Sequence, residues 1–301
     1  MSRQLTAEQE RIIAISRAMN ANESLKIQAC AGSGKTSTLV EIARANPNAK
    51  FLYLAFNKAI VEEAKNKFSD NVTIKTTHAL AYASIIAPNK YEVVPKHTFF
   101  DLKDILGFVD YDSFSIFNRD LNFYLNSGIK KLDNPLIDKL FEAVRNKELP
   151  YTHSLYLKEY QLLPRQLKRL NKYDFILLDE AQDTNAVTLS IFLDNTCKKI
   201  LVGDTFQNIY GFRDTINALE SYETTHNEKL THSFRCEQDI LDKACYFLNE
   251  YSPQKERICF KSGYKENPNE PKTRAVITRT NAGIIEFIAD ESDSGAYKLI
   301  K

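Results

Sequence analysis

Residues 25–45 read LKIQACAGSGKTSTLVEIARA. Leu25 to Cys30 has the length and apolar content of a buried strand, and Lys35 to Ala45 has the pattern of a helix. Between them lies AGSGKT, Ala31 to Thr36. A strand that enters a glycine turn opening a helix aims backbone N–H groups and a helix N-terminus at an anion. On that reading Ala31, Gly32, Ser33 and Gly34 cradle phosphates, Lys35 reaches the β/γ-phosphates and Thr36 offers its hydroxyl to Mg²⁺. The strict pattern GxxxxGK[ST] would put glycine at position 29, where this chain has Ala29. The bland alternative is a glycine turn that caps a helix.

The surrounding chain repeats the strand–helix rhythm. Phe51 to Phe56 (FLYLAF) predicts a second strand, Lys58 to Phe68 a helix with Ile60, Ala64 and Phe68 on one face, and Val72 to Thr77 a third strand. This βαβαβ order implies an α/β fold with a parallel sheet. From about residue 89 to 171 the pattern is helical, which predicts an insertion. The rhythm resumes with a strand at Tyr173 to Leu178, a helix over Thr184 to Asp194 and a strand at Lys198 to Val202. Beyond residue 222 a helix is expected over Glu237 to Tyr251 and a strand over Arg274 to Thr280.

FILLDEAQD, Phe175 to Asp183, is an apolar run ending in acids. A buried strand would deliver Asp179 and Glu180 to the carboxyl edge of the sheet, where open α/β folds bind ligands. Asp179 would hold Mg²⁺ and Glu180 would orient and deprotonate an attacking water. Two acids that merely start the next helix would read the same in isolation. TAEQ, Thr6 to Gln9, fits a capping box, while Gln9 alternatively matches the donor and acceptor of an adenine edge. VGDTFQNIYGFR, Val202 to Arg213, follows another strand end with Gln207, Tyr210, Phe212 and Arg213. Aromatic rings beside a cation can stack on bases or belong to a core. His78, at the end of the third strand, could equally be a satisfied buried histidine.

Composition sets the outer limits. The chain has 301 residues, 43% hydrophobic and 26% charged, with 40 Lys plus Arg against 39 Asp plus Glu. These values exclude global disorder and a uniformly basic nucleic-acid coat. No apolar run approaches the ~20 residues of a membrane helix, so no membrane partner is expected. The five cysteines form no CxxC pair, which predicts a reduced, cytoplasmic protein without structural zinc. Only nine glycines occur, and four of them are Gly32, Gly34, Gly203 and Gly211, which marks places of close backbone approach.

The ordered series LTAEQ, AGSGKT, LAFNKA, TTHA, DEAQD, VGDTFQNIYGFR, LTHSFR and VITRTNA resembles the UvrD/Rep type of superfamily 1 DNA helicases. GKTSTL, LPYTHSLYLK and LTHSFR resemble the F-box DNA helicase branch in particular. The resemblance runs from about Leu5 to Asn281. It implies RecA-like P-loop NTPase domains, ATP and Mg²⁺ as cofactors, single-stranded DNA as partner, and 3′ to 5′ movement. By that likeness residues 1–88 and 172–221 form a first RecA-like domain, 89–171 an inserted helical subdomain and 222–301 the start of a second RecA-like domain.

The same likeness assigns roles. Gln9 reads adenine, Phe234 stands where a tyrosine stacks on it, Gln207 couples the γ-phosphate to DNA, and Arg235 is an arginine finger. Asn57, Lys58, Thr77, His78, Tyr210, Phe212 and Arg279 fall in motifs that face single-stranded DNA, with the variable Phe56 beside them. Ser37 stands where UvrD-type enzymes often carry an arginine. The later GLE-containing motif and the final arginine-bearing motif are not found, so an N-terminal part of a longer helicase is expected. A nucleotide- and DNA-binding module with little turnover is the alternative. A DNA partner implies a nucleoid or nuclear setting.

Overall fold

The computed structural model describes residues 4–55, 57–208, 215–251, 257–265, 276–278 and 280–290. Its centre is a six-stranded sheet built from β1 (Ser24–Ala29), β2 (Phe51–Leu54), β3 (Val72–Lys75), β4 (Phe175–Leu178), β5 (Lys198–Gly203) and β6 (His226–Leu230). The order is β6-β1-β5-β4-β2-β3 and every pairing is parallel, a RecA-like arrangement. The chain leaves β1 for β2, whereas it leaves β5 to cross back over β1 to β6. Connections therefore diverge at the carboxyl end of β1, where such sheets open a crevice.

The central strands are buried on both faces, as parallel strands require. Because side chains alternate along a strand, one sequence feeds two cores. Ile27, Phe51, Tyr53, Phe175, Leu177, Ile200 and Val202 meet Ile12 of α1 (Ala7–Ala18) and Leu39 and Ile42 of α2 (Lys35–Ala45). The Phe51 and Phe175 rings stack there with centroids 4.6 Å apart. Leu52, Leu54, Ile176, Leu178 and Leu201 point the other way. They share one core with the helices inserted between β3 and β4.

That insertion follows α3 (Lys58–Lys65) and α4 (Thr77–Ala81) and contains α5 (Phe99–Leu106), α6 (Tyr111–Asn126), α7 (Pro135–Arg145), α8 (His153–Leu162) and α9 (Pro164–Lys168). In α7 an Asn134 cap and Pro135 set the start, and Ile137, Leu140, Phe141 and Val144 bury one stripe. In α8 every residue from Leu155 to Gln161 is buried, charges included. The Lys158 ammonium donates to the carbonyls of Ser127 and Ile129 and lies 4.2 Å from the Tyr124 ring centroid. Burial pushes it down from 10.5 to about 8. Glu159 accepts from Arg145 Nε at 2.8 Å and from the Tyr151 hydroxyl.

Two further helices, α10 (Ala186–Leu193) and α11 (Ala218–Ser221), cover the same face as the insertion, and α12 (Gln238–Tyr251) follows β6. The compact unit ends at Tyr264; a second unit, from Lys265, contains α13 (Asn281–Asp290), entered by a turn in which the Gly283 amide donates to Thr280 Oγ1. Among the described residues no helix is long and apolar enough to cross a membrane.

The structure departs from the sequence expectations in one boundary, in several element ends and in one strand. The boundary drawn after residue 221 falls one strand early, because His226–Leu230 pairs with β1 and completes the sheet's edge. That strand reads HNEKL and buries only Leu230, so its side chains carry no strand pattern. Second, β2 and β3 end at Leu54 and Lys75, two residues short of the predicted Phe56 and Thr77. The helix α3 likewise stops at Lys65 rather than Phe68. Third, residues 276–278 form no strand, and the rest of the expected strand at 274–280 lies outside the described residues apart from Thr280.

Candidate nucleotide site

β1 ends at Ala29, and the Cys30 amide donates to Leu230 O at 3.0 Å, tying the loop to the neighbouring strand. Gly32 (φ +73°) and Gly34 (φ +82°) take left-handed conformations that side chains resist. Gly34 caps α2 without a side-chain hydrogen bond and the first turn holds no acid. Its first N–H groups therefore have neither an intrahelical acceptor nor a capping side chain, and with the helix dipole they favour an anion. Ser33 is 2% exposed and its Oγ is buried with no hydrogen-bond partner among the described residues. An orphaned hydroxyl inside a cationic, N–H-lined cradle fits a phosphate.

The acidic motif arrives opposite. Asp179, 4% exposed, accepts from Tyr53 OH at 2.6 Å, from Thr36 Oγ1 at 3.0 Å and from the Glu180 amide at 2.9 Å. Burial, then the Glu180 charge, pushes its carboxyl above the usual range, and the three donors oppose that rise. Burial and the Asp179 carboxylate raise the Tyr53 phenol far above its ordinary value, so the hydroxyl remains a donor. The Thr36 hydroxyl and the Asp179 carboxylate are hard oxygen donors of the kind Mg²⁺ takes together with phosphate oxygens.

Glu180 follows with φ +50°, a strained conformation for a residue with a side chain. Its carboxylate pairs with Lys35 Nζ at 2.9 Å and accepts from Gln182 Nε2 at 2.9 Å. Gln182, 2% exposed, also donates to Asp183 and accepts from the Asp204 amide at 3.0 Å. Asp204 in turn accepts from Gln207 Nε2 at 2.8 Å, and burial raises its carboxyl. A continuous run of hydrogen bonds thus joins Lys35, Glu180, Gln182, Asp204 and Gln207. Gly203 makes the run possible, since a Cβ there would sit 2.3 Å from Gln182 Oε1.

On the other side of the loop, Gln9 is buried beside Gly34. The capping box is present: Thr6 Oγ1 accepts from the Gln9 amide and Gln9 Oε1 accepts from the Thr6 amide, while Gln9 Nε2 donates to Thr38 Oγ1. One N–H and one lone pair of that amide are left over by these bonds. The LTHSFR segment rests on the loop: Ser233 Oγ donates to Ala31 O at 2.7 Å and the Phe234 amide to Gly32 O at 2.9 Å. The Phe234 ring lies over Gly263, where a Cβ would be 2.9 Å away. Arg235 follows with an exposed side chain.

Of the residues expected to face nucleic acid, Asn57 caps α3 through Ile60 N at 2.9 Å, and Asn57 and Lys58 are exposed. Thr77 is buried and its hydroxyl meets Thr188 Oγ1 at 3.1 Å. His78 is exposed, and with Thr77, Asp179 and Asn185 it lines a cavity of about 270 Å³. A second cavity, of about 90 Å³, has Asp179 in its wall together with Thr36, Tyr53 and Glu180. Asp179 therefore stands between the two. Phe56, Tyr210, Phe212 and Arg279 lie outside the described residues. Tyr53, Gln182 and Asp204 are the members that motif reading missed. Gln182 lies inside the quoted DEAQD, and only its hydrogen bonds to Glu180 and Asp204 reveal its use.

A parallel sheet whose first strand ends in a phosphate loop, with a buried acid at the adjoining edge, defines a P-loop nucleotide-binding domain. The profile of the AAA domain family matches residues 10–213, and this chain belongs to that family. It is similar to F-box DNA helicase 1 of Gallus gallus, at 35% identity over 277 residues, covering 78% of this chain and 27% of that protein. It is also similar to F-box DNA helicase protein 1 of Schizosaccharomyces pombe, at 32% identity over 294 residues, covering 81% of this chain and 33% of that one. The chain thus spans a third or less of these relatives. Among solved structures, Bacteroides sp Pif1 in complex with ADP-AlF4 gives a TM-score of 0.41 at 13% identity, covering 84% of this chain and 48% of that one.

Proposed function

We propose that this chain is the ATP-hydrolysing part of a superfamily 1, UvrD/Rep-type DNA helicase that moves 3′ to 5′ along single-stranded DNA, with Mg²⁺ as its metal. The observation that carries the reading is the Lys35–Glu180 pair at 2.9 Å beside the Thr36–Asp179 contact. Lys35 pairs with the carboxylate that is to serve as base. When phosphates enter the loop, Lys35 turns to them and Glu180 is released to take the proton of the attacking water. Thr36 and Asp179 would hold the metal, which would supply charge neutralisation on the phosphate oxygens. Gln207 senses that exchange through Asp204 and Gln182. Gln9 and Phe234 flank the adenine, and Arg235 reaches the γ-phosphate from the segment that rests on Gly32.

The first RecA-like domain on this reading runs through β6 to Leu230 and includes the helical insertion, and the chain beyond it begins a second. Asn57, Lys58 and His78, with Tyr210, Phe212 and Arg279, face the DNA, which sets the protein on chromosomal DNA in nucleoid or nucleus. The test is ATP turnover with and without single-stranded DNA in wild type, Lys35→Ala and Glu180→Gln. Lys35→Ala should lose nucleotide binding, whereas Glu180→Gln should bind and fail to hydrolyse. Equal loss of binding in both variants overturns the assigned roles, and binding without turnover in the wild type favours a nucleotide- and DNA-holding module.

A further inference from the structure

At the junction of α4 with the insertion, Tyr156 of α8 is 3% exposed and three rings stand edge-on around it. His153 has its centroid 5.6 Å away at 67°, His78 6.0 Å away at 87° and Tyr82 6.1 Å away at 81°. His153 Nδ1 and Tyr156 OH are hydrogen-bonded at 2.9 Å, which fixes the imidazole. The spacing produces the arrangement: His78 in α4 and Tyr82 directly after it are four residues apart on continuous helical backbone, and His153 and Tyr156 are three apart in the first turn of α8.

We propose that His153, His78 and Tyr82, seated on Tyr156, form a stacking platform for the bases of single-stranded DNA, so that the inserted segment is part of the nucleic-acid track. This rests on the DNA-binding reading above and extends it to a segment that the reading leaves without a contact. Packing alone needs only the buried Tyr156. The other three rings are exposed, with Tyr82 at 47%, and each stands at a defined angle to Tyr156. A metal does not suit the pair of imidazoles, because Tyr156 already holds His153 Nδ1 and no group of three potential ligands exists among the described residues. Ring desolvation, and then the neighbouring His153, hold the His78 imidazole below its ordinary range, so His78 offers a neutral ring to a base at neutral pH. The platform continues from the cavity that His78 shares with Asp179, which places it beside the carboxyl edge where nucleotide is bound. Rings that stack on bases tolerate any sequence, as a translocating enzyme requires.

The experiment measures binding of a fluorescent oligo-dT and of a base-free oligomer of the same phosphate length by anisotropy, in wild type, His153→Ala, His153→Phe and Tyr82→Ala. Each alanine variant should bind oligo-dT about 5- to 100-fold more weakly. His153→Phe, which keeps a stacking face, should stay within about threefold of wild type. The base-free oligomer should bind all four proteins equally, because no phosphate contact is removed. Equal weakening for both oligomers, no weakening by His153→Ala, or failure of phenylalanine to restore binding overturns the platform. Failure of the wild type to bind either oligomer overturns the DNA-binding reading itself.

Discussion

Replacing Gly32 by alanine should detach the segment that carries Arg235 from the phosphate loop, whereas the same change at Gly34 should not. Both glycines are left-handed, so either substitution costs about 1–2 kcal/mol of backbone strain. They differ in what the new methyl meets. At Gly32 it would lie 2.4 Å from Arg235 Cβ and 3.0 Å from Ser233 Oγ; at Gly34 the nearest atom is Gln9 Nε2 at 3.6 Å. Arg235 Cβ is fixed to its backbone, so the 233–235 segment must withdraw by at least about 1 Å to regain ordinary carbon–carbon contact. Two hydrogen bonds go with it, Ser233 Oγ to Ala31 O and the Phe234 amide to Gly32 O, each worth about 1 kcal/mol net. Gly32→Ala should therefore cost about 3–4 kcal/mol locally and Gly34→Ala about 1–2 kcal/mol. Amide hydrogen exchange at Phe234 reads the difference directly. It should speed up about 30-fold in Gly32→Ala, as about 2 kcal/mol requires, and stay near wild type in Gly34→Ala. Equal exchange rates at Phe234 in the two variants would refute the contact between this segment and the loop.

Tyr53→Phe removes a fully buried donor from Asp179, and urea unfolding should show a loss of about 1.5–3 kcal/mol with the slope unchanged; a loss below about 0.5 kcal/mol refutes the bond's role. Gly203→Ala should cost about 1–3 kcal/mol, because its Cβ collides with Gln182 Oε1, and a neutral result would mean Gln182 is free to move. Lys158 falls from 10.5 to about 8 in the fold, so between those values the unfolded chain binds more protons and stability rises with pH. Relative to Lys158→Met, wild type should gain about 3 kcal/mol in unfolding free energy from pH 7.5 to 10.5, and a constant difference across that interval would refute the buried charge.

The phosphate loop was legible because its three parts are contiguous: the bounds Lys35–Ala45 of α2 are those the sequence predicts. Phe175–Leu178 announced itself as an apolar run buried on both faces. β6 did not, because an edge strand is held by backbone hydrogen bonds and HNEKL leaves alternate side chains in water. Tyr53 was invisible as a site residue for another reason. Its partner Asp179 lies 126 positions away, and nothing local in FLYLAF distinguishes a core tyrosine from one that holds a carboxylate. The Thr77 hydroxyl is equally illegible from its neighbours, since the Thr188 that it meets lies 111 positions on. Gln9 shows that one side chain can satisfy the local reading, a capping box, with hydrogen-bonding capacity left over.

The alternation of Phe51, Leu52, Tyr53 and Leu54 between two cores bears on how this domain could be dissected. Excising the helices between Pro88 and Lys172 would open the core that Leu52, Leu54, Ile176 and Leu178 share with them and leave α10 and α11 as cover on that face of the sheet. At about 1.5–3 kcal/mol per fully uncovered side chain, those four set an upper bound of roughly 6–12 kcal/mol, comparable to the whole stability of an ordinary domain. A shortened nucleotide-binding core cut at those junctions would therefore precipitate or fail to fold, and chimeras should exchange the inserted helices only together with β2 and β4.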